Sequence, residues 1–144
     1  VPIYSPALIS KNMIAGANST GIEIGQCGHT REDSEREVNI YGNAISNTSV
    51  GIELECGYKC SSYEQLSMSN LNFINTDIAV KIRYINNDEE IPEFRVLDSY
   101  FGTVDPNEIN NLLFDKLDDY TLPEIEVVNP VSNQIDIPSL LSPW

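Results

Sequence analysis

The chain has 144 residues, 41% of them hydrophobic, and its 22 acidic against 8 basic side chains give a formal net charge of −14. That length allows one domain with a slender core, and no apolar run approaches the ~20 residues that a membrane-spanning helix needs. An acid surplus of this size repels the phosphates of nucleic acid and the headgroups of anionic membranes, so neither nucleic-acid binding nor membrane insertion is expected.

From the N-terminal end, Val1 to Ile9 runs straight into apolar positions that recur. Ile9, Ile40, Met68 and Val96 form one column, and Ile14, Ile45, Phe73 and Phe101 form a second with the same steps of 31, 28 and 28 residues. Ile22, Ile52, Val80 and Ile24, Leu54, Ile82 add two more, with steps of 30 and 28. The segments Ile40–Leu54 and Met68–Ile82 read almost as copies. A fixed period of this length is the mark of a solenoid. Within each repeat, Ile22-Glu23-Ile24, Ile52-Glu53-Leu54 and Val80-Lys81-Ile82 alternate at period two, the pattern of a strand with one buried and one wet face.

Between the two short strands expected in each repeat stand 17–21, 47–51 and 75–77, rich in turn-favouring Asn, Ser, Thr and Gly. Leu66, Met68, Leu71 and Phe73 loosely echo a leucine-rich repeat, but no helical stretch separates the repeats. The expected solution is a chain that winds into stacked coils, with hydrogen bonds running from coil to coil. Asn12 with Asn43, and Asn47 with Asn75, then stack as amide ladders at the turns.

Outward positions on equivalent strands carry Glu23, Glu53 and Lys81, the candidate ligand-contact strip. Glu23 and Glu53 superficially suit a retaining glycosidase pair. With Lys81 on the next rung they read more simply as a charge-balanced surface ladder. The loops joining the coils are acidic, and Glu32, Asp33, Asp88 and Glu89 are candidate oxygen ligands for Ca²⁺. No loop has the regular spacing of a dedicated calcium loop, so a solvated face is the simpler reading. Cys27 and Cys56 enter their loops at nearly the same position, which allows a Cys27–Cys56 bridge, a local Cys56–Cys60 bridge, or three free thiols. His29, Arg31 and Asp33 share a polar loop without the fixed geometry of acid–base work. No catalytic residue is assigned and no cofactor is expected beyond Ca²⁺.

Toward the C-terminal end, Asp105 is placed as a helix N-cap, Pro106 at the first helical position and Glu108 as the second half of a capping box. The apolar positions Ile109, Leu112, Leu113 and Leu117 fall on one helical face. The expected organisation is β-helix coils over 1–104, a capping helix over 105–120 and an extended tail over 121–144 that packs on the solenoid.

The segment from Ser99 to Leu122, with its aromatic-aromatic-Gly-Thr turn at Tyr100-Phe101-Gly102-Thr103, and the tail Leu141-Ser-Pro-Trp144 resemble a known closing segment. It is that of right-handed parallel β-helix proteins of the pectate-lyase-like superfamily. The group concerned has Asn-rich repeats and is related to the copper-site assembly protein of nitrous oxide reductase. Tyr100-Phe101 stands where that group usually has Tyr-Trp. The resemblance covers nearly the whole chain. It implies an all-β fold, a right-handed parallel β-helix of about four coils closed by a short C-terminal helix.

The resemblance also implies carbohydrate-related work at a secreted, periplasmic or cell-surface location. The expected function is a non-catalytic module that binds a polysaccharide or serves a structural role, with Tyr41, Tyr58, Tyr63 and Tyr84 as stacking platforms for sugars. The few scattered bases disfavour a polyuronate groove, which needs Lys or Arg to meet substrate carboxylates. Two alternatives stand beside this reading. One is the C-terminal part of a polysaccharide lyase or glycoside hydrolase whose catalytic coils lie upstream; the other is a self-assembling filament or sheath subunit. The first coil lacks an evident cap, and upstream coils or another chain are expected against that edge.

Overall fold

The computed structural model describes residues 7–16, 18–24, 38–56, 66–85, 94–115, 117–119, 122 and 124–136. Strands β1 (Ala7–Ser10), β2 (Met13–Ala15) and β3 (Thr20–Ile24) make the first turn, followed by β4 (Val38–Tyr41), β5 (Ala44–Ser46) and β6 (Val50–Cys56) in the second. The third comprises β7 (Leu66–Ser69), β8 (Asn72–Ile74) and β9 (Ile78–Ile85). After β10 (Phe94–Leu97) come α1 (Pro106–Asn110), β11 (Leu113–Phe114) and β12 (Ile125–Val128). Successive strands fall into three sheets in rotation, ordered β1-β4-β7-β10-β12, β2-β5-β8 and β3-β6-β9-β11. Among the described residues every pairing is parallel. The fold is all-β, and this rotation is compatible with a parallel solenoid.

The apolar columns read from the sequence are the observed register. Ile9 pairs with Ile40, Ile40 with Met68 and Met68 with Val96. Ile14 pairs with Ile45 and Ile45 with Phe73, whose ring stacks on Phe101 at 5.2 Å. Ile22, Ile52 and Val80 align, as do Ile24, Leu54 and Ile82. Ile40, Ile45, Ile52, Leu54, Met68, Phe73, Val80, Ile82 and Val96 are all essentially inaccessible and form the core between the sheets. Burying a side chain of this kind contributes about 1.5–3 kcal/mol, so the columns supply most of the drive for stacking.

Each of the first three turns has three strands, not two. The stretch expected as one strand at 40–46 breaks at Gly42, whose φ of +65° turns the chain into a second sheet. The corresponding position is left-handed in every turn, at Lys11, Asn70, Asp98 and Asn129. Gly and Asn adopt this region with little strain. The pattern was easy to miss, because only one of the five corner residues is a glycine.

After three of these corners the next residue, Asn12, Asn43 or Ser99, ties two turns together through its side chain. Asn43 is fully buried; its Oδ1 accepts from the backbone N–H and the amide of Asn12, both at 3.0 Å, and its Nδ2 donates to the carbonyl of Ile9 at 2.9 Å. In the fourth turn Ser99 plays the same part, accepting from the Leu71 N–H at 3.0 Å and donating to the Leu97 carbonyl at 2.9 Å. The second expected ladder is also present, with Asn75 Nδ2 donating to Asn47 Oδ1 at 2.8 Å. Gly51 lies where a Cβ would come within 2.9 Å of the Phe73 ring and 2.5 Å of the Ala79 carbonyl. Only glycine allows the third strand to pass so close to the second sheet.

The C-terminal part differs from expectation in two respects. The helix spans Pro106–Asn110 rather than 105–120, because the Leu112 carbonyl accepts from the Ala79 N–H at 2.7 Å and Leu113–Phe114 pairs with Val80–Lys81. The chain thus rejoins the third sheet, which buries Ile109 and Leu113 and leaves Leu117 exposed. Asp105 does cap the helix, accepting from the N–H groups of Asn107 and Glu108. The Asp105 N–H is satisfied by Thr103 Oγ1 at 3.1 Å, the role anticipated for Glu108.

The second difference is that Ile125–Val128, expected as tail, is a fifth rung of the first sheet, in register with Phe94–Leu97. Buried Asp115 arranges this return: Oδ2 accepts from the Ile125 N–H at 2.7 Å and Oδ1 from the Leu117 N–H at 3.0 Å. Val131 then bridges Tyr100, and Ile135 exchanges hydrogen bonds with the side chain of buried Asn72, at 2.8 and 2.7 Å.

Candidate functional site

The third sheet presents the one row of outward side chains that combines charge with an aromatic ring on four successive described rungs. Ile22, Ile24 and their partners point inward, so the residue between them points outward, and Glu23, Glu53, Lys81 and Phe114 stand in register. Adjacent rungs of a sheet are about 4.8 Å apart, and the row is therefore about 14 Å long. It runs acid, acid, base, aromatic.

Glu53 is the anchored member. Its carboxylate accepts from Thr20 Oγ1 at 3.2 Å and faces Arg83 Nε at 3.6 Å, and its side chain is only 12% exposed. Thr20 lies one turn before Glu53 and Arg83 one turn after, so the carboxylate is held from both sides along the stacking axis. A bulge between Leu54 and Glu55 shifts the register beyond Glu53, setting Glu55 against Tyr84. Lys81 extends over the face of half-buried Phe114, with Nζ 5.5 Å from the ring centroid. A cation in that position is attracted by the ring quadrupole. Glu23, at the other end of the row, is exposed.

Chemically the row offers a fixed carboxylate acceptor, two cationic donors and an aromatic face, a combination suited to a ligand with many hydroxyl groups. The sequence strip of Glu23, Glu53 and Lys81 is thus brought together. Phe114, Thr20 and Arg83 extend it and were missed. Arg83 was findable, since it shares outward parity with Lys81. Phe114 was hidden by the expectation that it lay in a helix.

Of the aromatic candidates, Tyr41 lies apart from this row. Tyr41 is half-buried on the first sheet, in register between Ser10 and Ser69. Tyr84 lies on β9, and its side chain is outside the described residues, as are Tyr58 and Tyr63. The Ca²⁺ candidates Glu32, Asp33, Asp88 and Glu89 lie outside them too, as do His29, Arg31, Cys27 and Cys60. Cys56 ends β6, where its backbone pairs with Ile85. Among the described residues no group of three or more His, Cys, Asp or Glu is placed to hold a metal ion. No helix among them is long and apolar enough to cross a membrane. Asp115 is buried and structural, and takes no part in the row.

Comparison of the chain with protein-family models, with curated proteins and with solved structures finds no match.

Proposed function

We propose that this chain is a right-handed parallel β-helix of the pectate-lyase-like kind. In this reading it acts as a non-catalytic module of a secreted or surface protein and binds a polysaccharide along the outer face of its third sheet. The handedness follows from the strong preference for right-handed crossovers between parallel strands. The observation that carries the functional reading is the row Glu23, Glu53, Lys81 and Phe114 with Glu53 already held by Thr20 and Arg83. A pre-organised polar group loses little freedom on binding, which favours affinity. The same engagement of Glu53 argues for recognition over acid–base chemistry, because a carboxylate committed to a hydroxyl and a guanidinium is poorly placed to exchange protons with a substrate.

The ligand class follows from charge. With a net charge of −14, neutral or weakly cationic glycans are favoured over polyuronates. A glycan array probed with the purified chain, with and without Ca²⁺, tests the reading; the Ca²⁺ arm also addresses the loop acids Glu32, Asp33, Asp88 and Glu89. Binding to neutral oligosaccharides that is lost in Lys81→Ala and Glu53→Gln supports it. Silence under both conditions removes it.

A further inference from the structure

We propose that Asn18 and Asn47 are acceptor sites for asparagine-linked oligosaccharide. The chain contains two Asn-x-Ser/Thr triplets, Asn18-Ser19-Thr20 and Asn47-Thr48-Ser49, the acceptor pattern for this modification. Both fall at the same corner of the fold on successive turns, where the chain passes from the second sheet to the third, between β2 and β3 and between β5 and β6. Both asparagines are exposed, and both are left-handed, with φ of 57° and 54°.

The hydrogen bonding separates these two from the equivalent residue of the third turn. Among the described residues the Asn18 amide has no hydrogen-bond partner, and Asn47 uses only its oxygen, which accepts from Asn75. The nitrogen that would carry a sugar is therefore unengaged in both. In the third turn the triplet is broken, because Asp77 stands where a hydroxyl residue is required, and there the Asn75 nitrogen is committed to Asn47. A glycan on Asn47 Nδ2 leaves its Oδ1 free to keep accepting from Asn75, so modification is compatible with the ladder. The first corner is one residue longer, since Ala15 pairs with Ser46 and Thr20 with Val50. Asn18 is thereby offset from Asn47 rather than stacked on it.

The chemistry requires a lipid-linked pyrophosphoryl oligosaccharide as co-reactant. The amide nitrogen forms a bond to C1 of the first sugar, the bond from C1 to the pyrophosphate oxygen breaks, and the lipid pyrophosphate leaves as the amide gives up one proton. The proposal rests on the secreted or surface placement put forward above, and not on the ligand row.

The test is to direct the chain into the secretory pathway of a eukaryotic host that glycosylates asparagine. Intact mass and peptide maps are then recorded before and after treatment with peptide N-glycosidase, which leaves Asp at each formerly occupied Asn. The expected result is loss of mass on treatment, with Asp at positions 18 and 47. Asn18→Gln and Ser49→Ala should each abolish one site and keep the other; Ser49→Ala leaves the Asn47 side chain in its ladder. Chain retained inside the secretory compartment is read in the same way as secreted chain. An unmodified mass in both fractions overturns the proposal, whatever the glycan array shows.

Discussion

Replacing Asn43 with Leu isolates the hydrogen bonds between the first two turns. Leucine fits by shape, because Leu71 occupies the equivalent buried position one turn later. What is lost is chemical: the acceptor for the Asn12 N–H and the donor to the Ile9 carbonyl. A backbone group left without its partner costs about 1–3 kcal/mol. Asn12 is exposed and water can replace part of its bond, so the expected loss is about 2–3 kcal/mol in all. In a stacked-repeat protein such a loss falls on the interface between neighbouring turns, so the first turn should open ahead of the rest. Hydrogen exchange then reports the effect locally, with amides of Ala7–Ser10 and Met13–Ala15 exchanging on the order of 30- to 100-fold faster, at tenfold per 1.4 kcal/mol. Asn43→Ser should fall between wild type and Leu, because Ser99 performs the same bridging with a hydroxyl in the fourth turn. If Asn43→Leu leaves these amides as protected as in the wild type, the ladder is incidental to stacking and the reasoning fails.

Four further outcomes follow from the same geometry. Gly51→Ala should destabilise by about 3 kcal/mol, since the new Cβ meets a backbone carbonyl at 2.5 Å and a packed ring at 2.9 Å; urea titration measures it. Gly102→Ala, with φ of +84° and open space around it, should cost only about 1 kcal/mol. Asp115→Asn keeps one acceptor but turns an N–H toward a backbone N–H, so about 2 kcal/mol should be lost. Faster exchange of the Ile125–Val128 amides would locate that loss at the fifth rung. On the outer face, Lys81→Ala and Glu53→Gln should each weaken glycan binding roughly 10- to 100-fold, the range for a hydrogen bond to a charged group. Their unfolding midpoints should stay close to wild type, and a parallel loss of stability would show that the row is structural.

The inward columns were legible because burial imposes periodicity. A residue such as Ile45 must be apolar in every turn, and its partners Ile14 and Phe73 recur at the repeat length. The ladder of Asn12 and Asn43 was legible for a similar reason, since an amide buried in one turn needs its partner in the next. The corner between the first and second sheets was not, because left-handed backbone is supplied there by Lys, Gly, Asn and Asp alike, with no shared side-chain chemistry to read. The fifth rung was hidden because the 28-residue step from Val96 to position 124 misses Val127 by three residues. The short helix and the Asp115-centred connection lengthen that turn. Phe114 was lost for the same reason: the path from Lys81 to it detours through α1.

The same distinction bears on where function resides. A mutation at an inward position such as Ile52 or Val80 is felt by the turns on both sides, so stacking constrains those residues. Outward positions on the rungs carry no such requirement. On the third sheet they could all have been short polar side chains, as Ser67 and Ser69 are on the first sheet. Instead the sequence places two carboxylates, an ammonium and a ring in one line and fastens one carboxylate from the turns before and after it. Fixing long charged side chains at a surface contributes little to stability and lowers their freedom. Under the proposed function a ligand meets that ordered face, and the row, rather than the core, is then where substitutions should separate binding from folding.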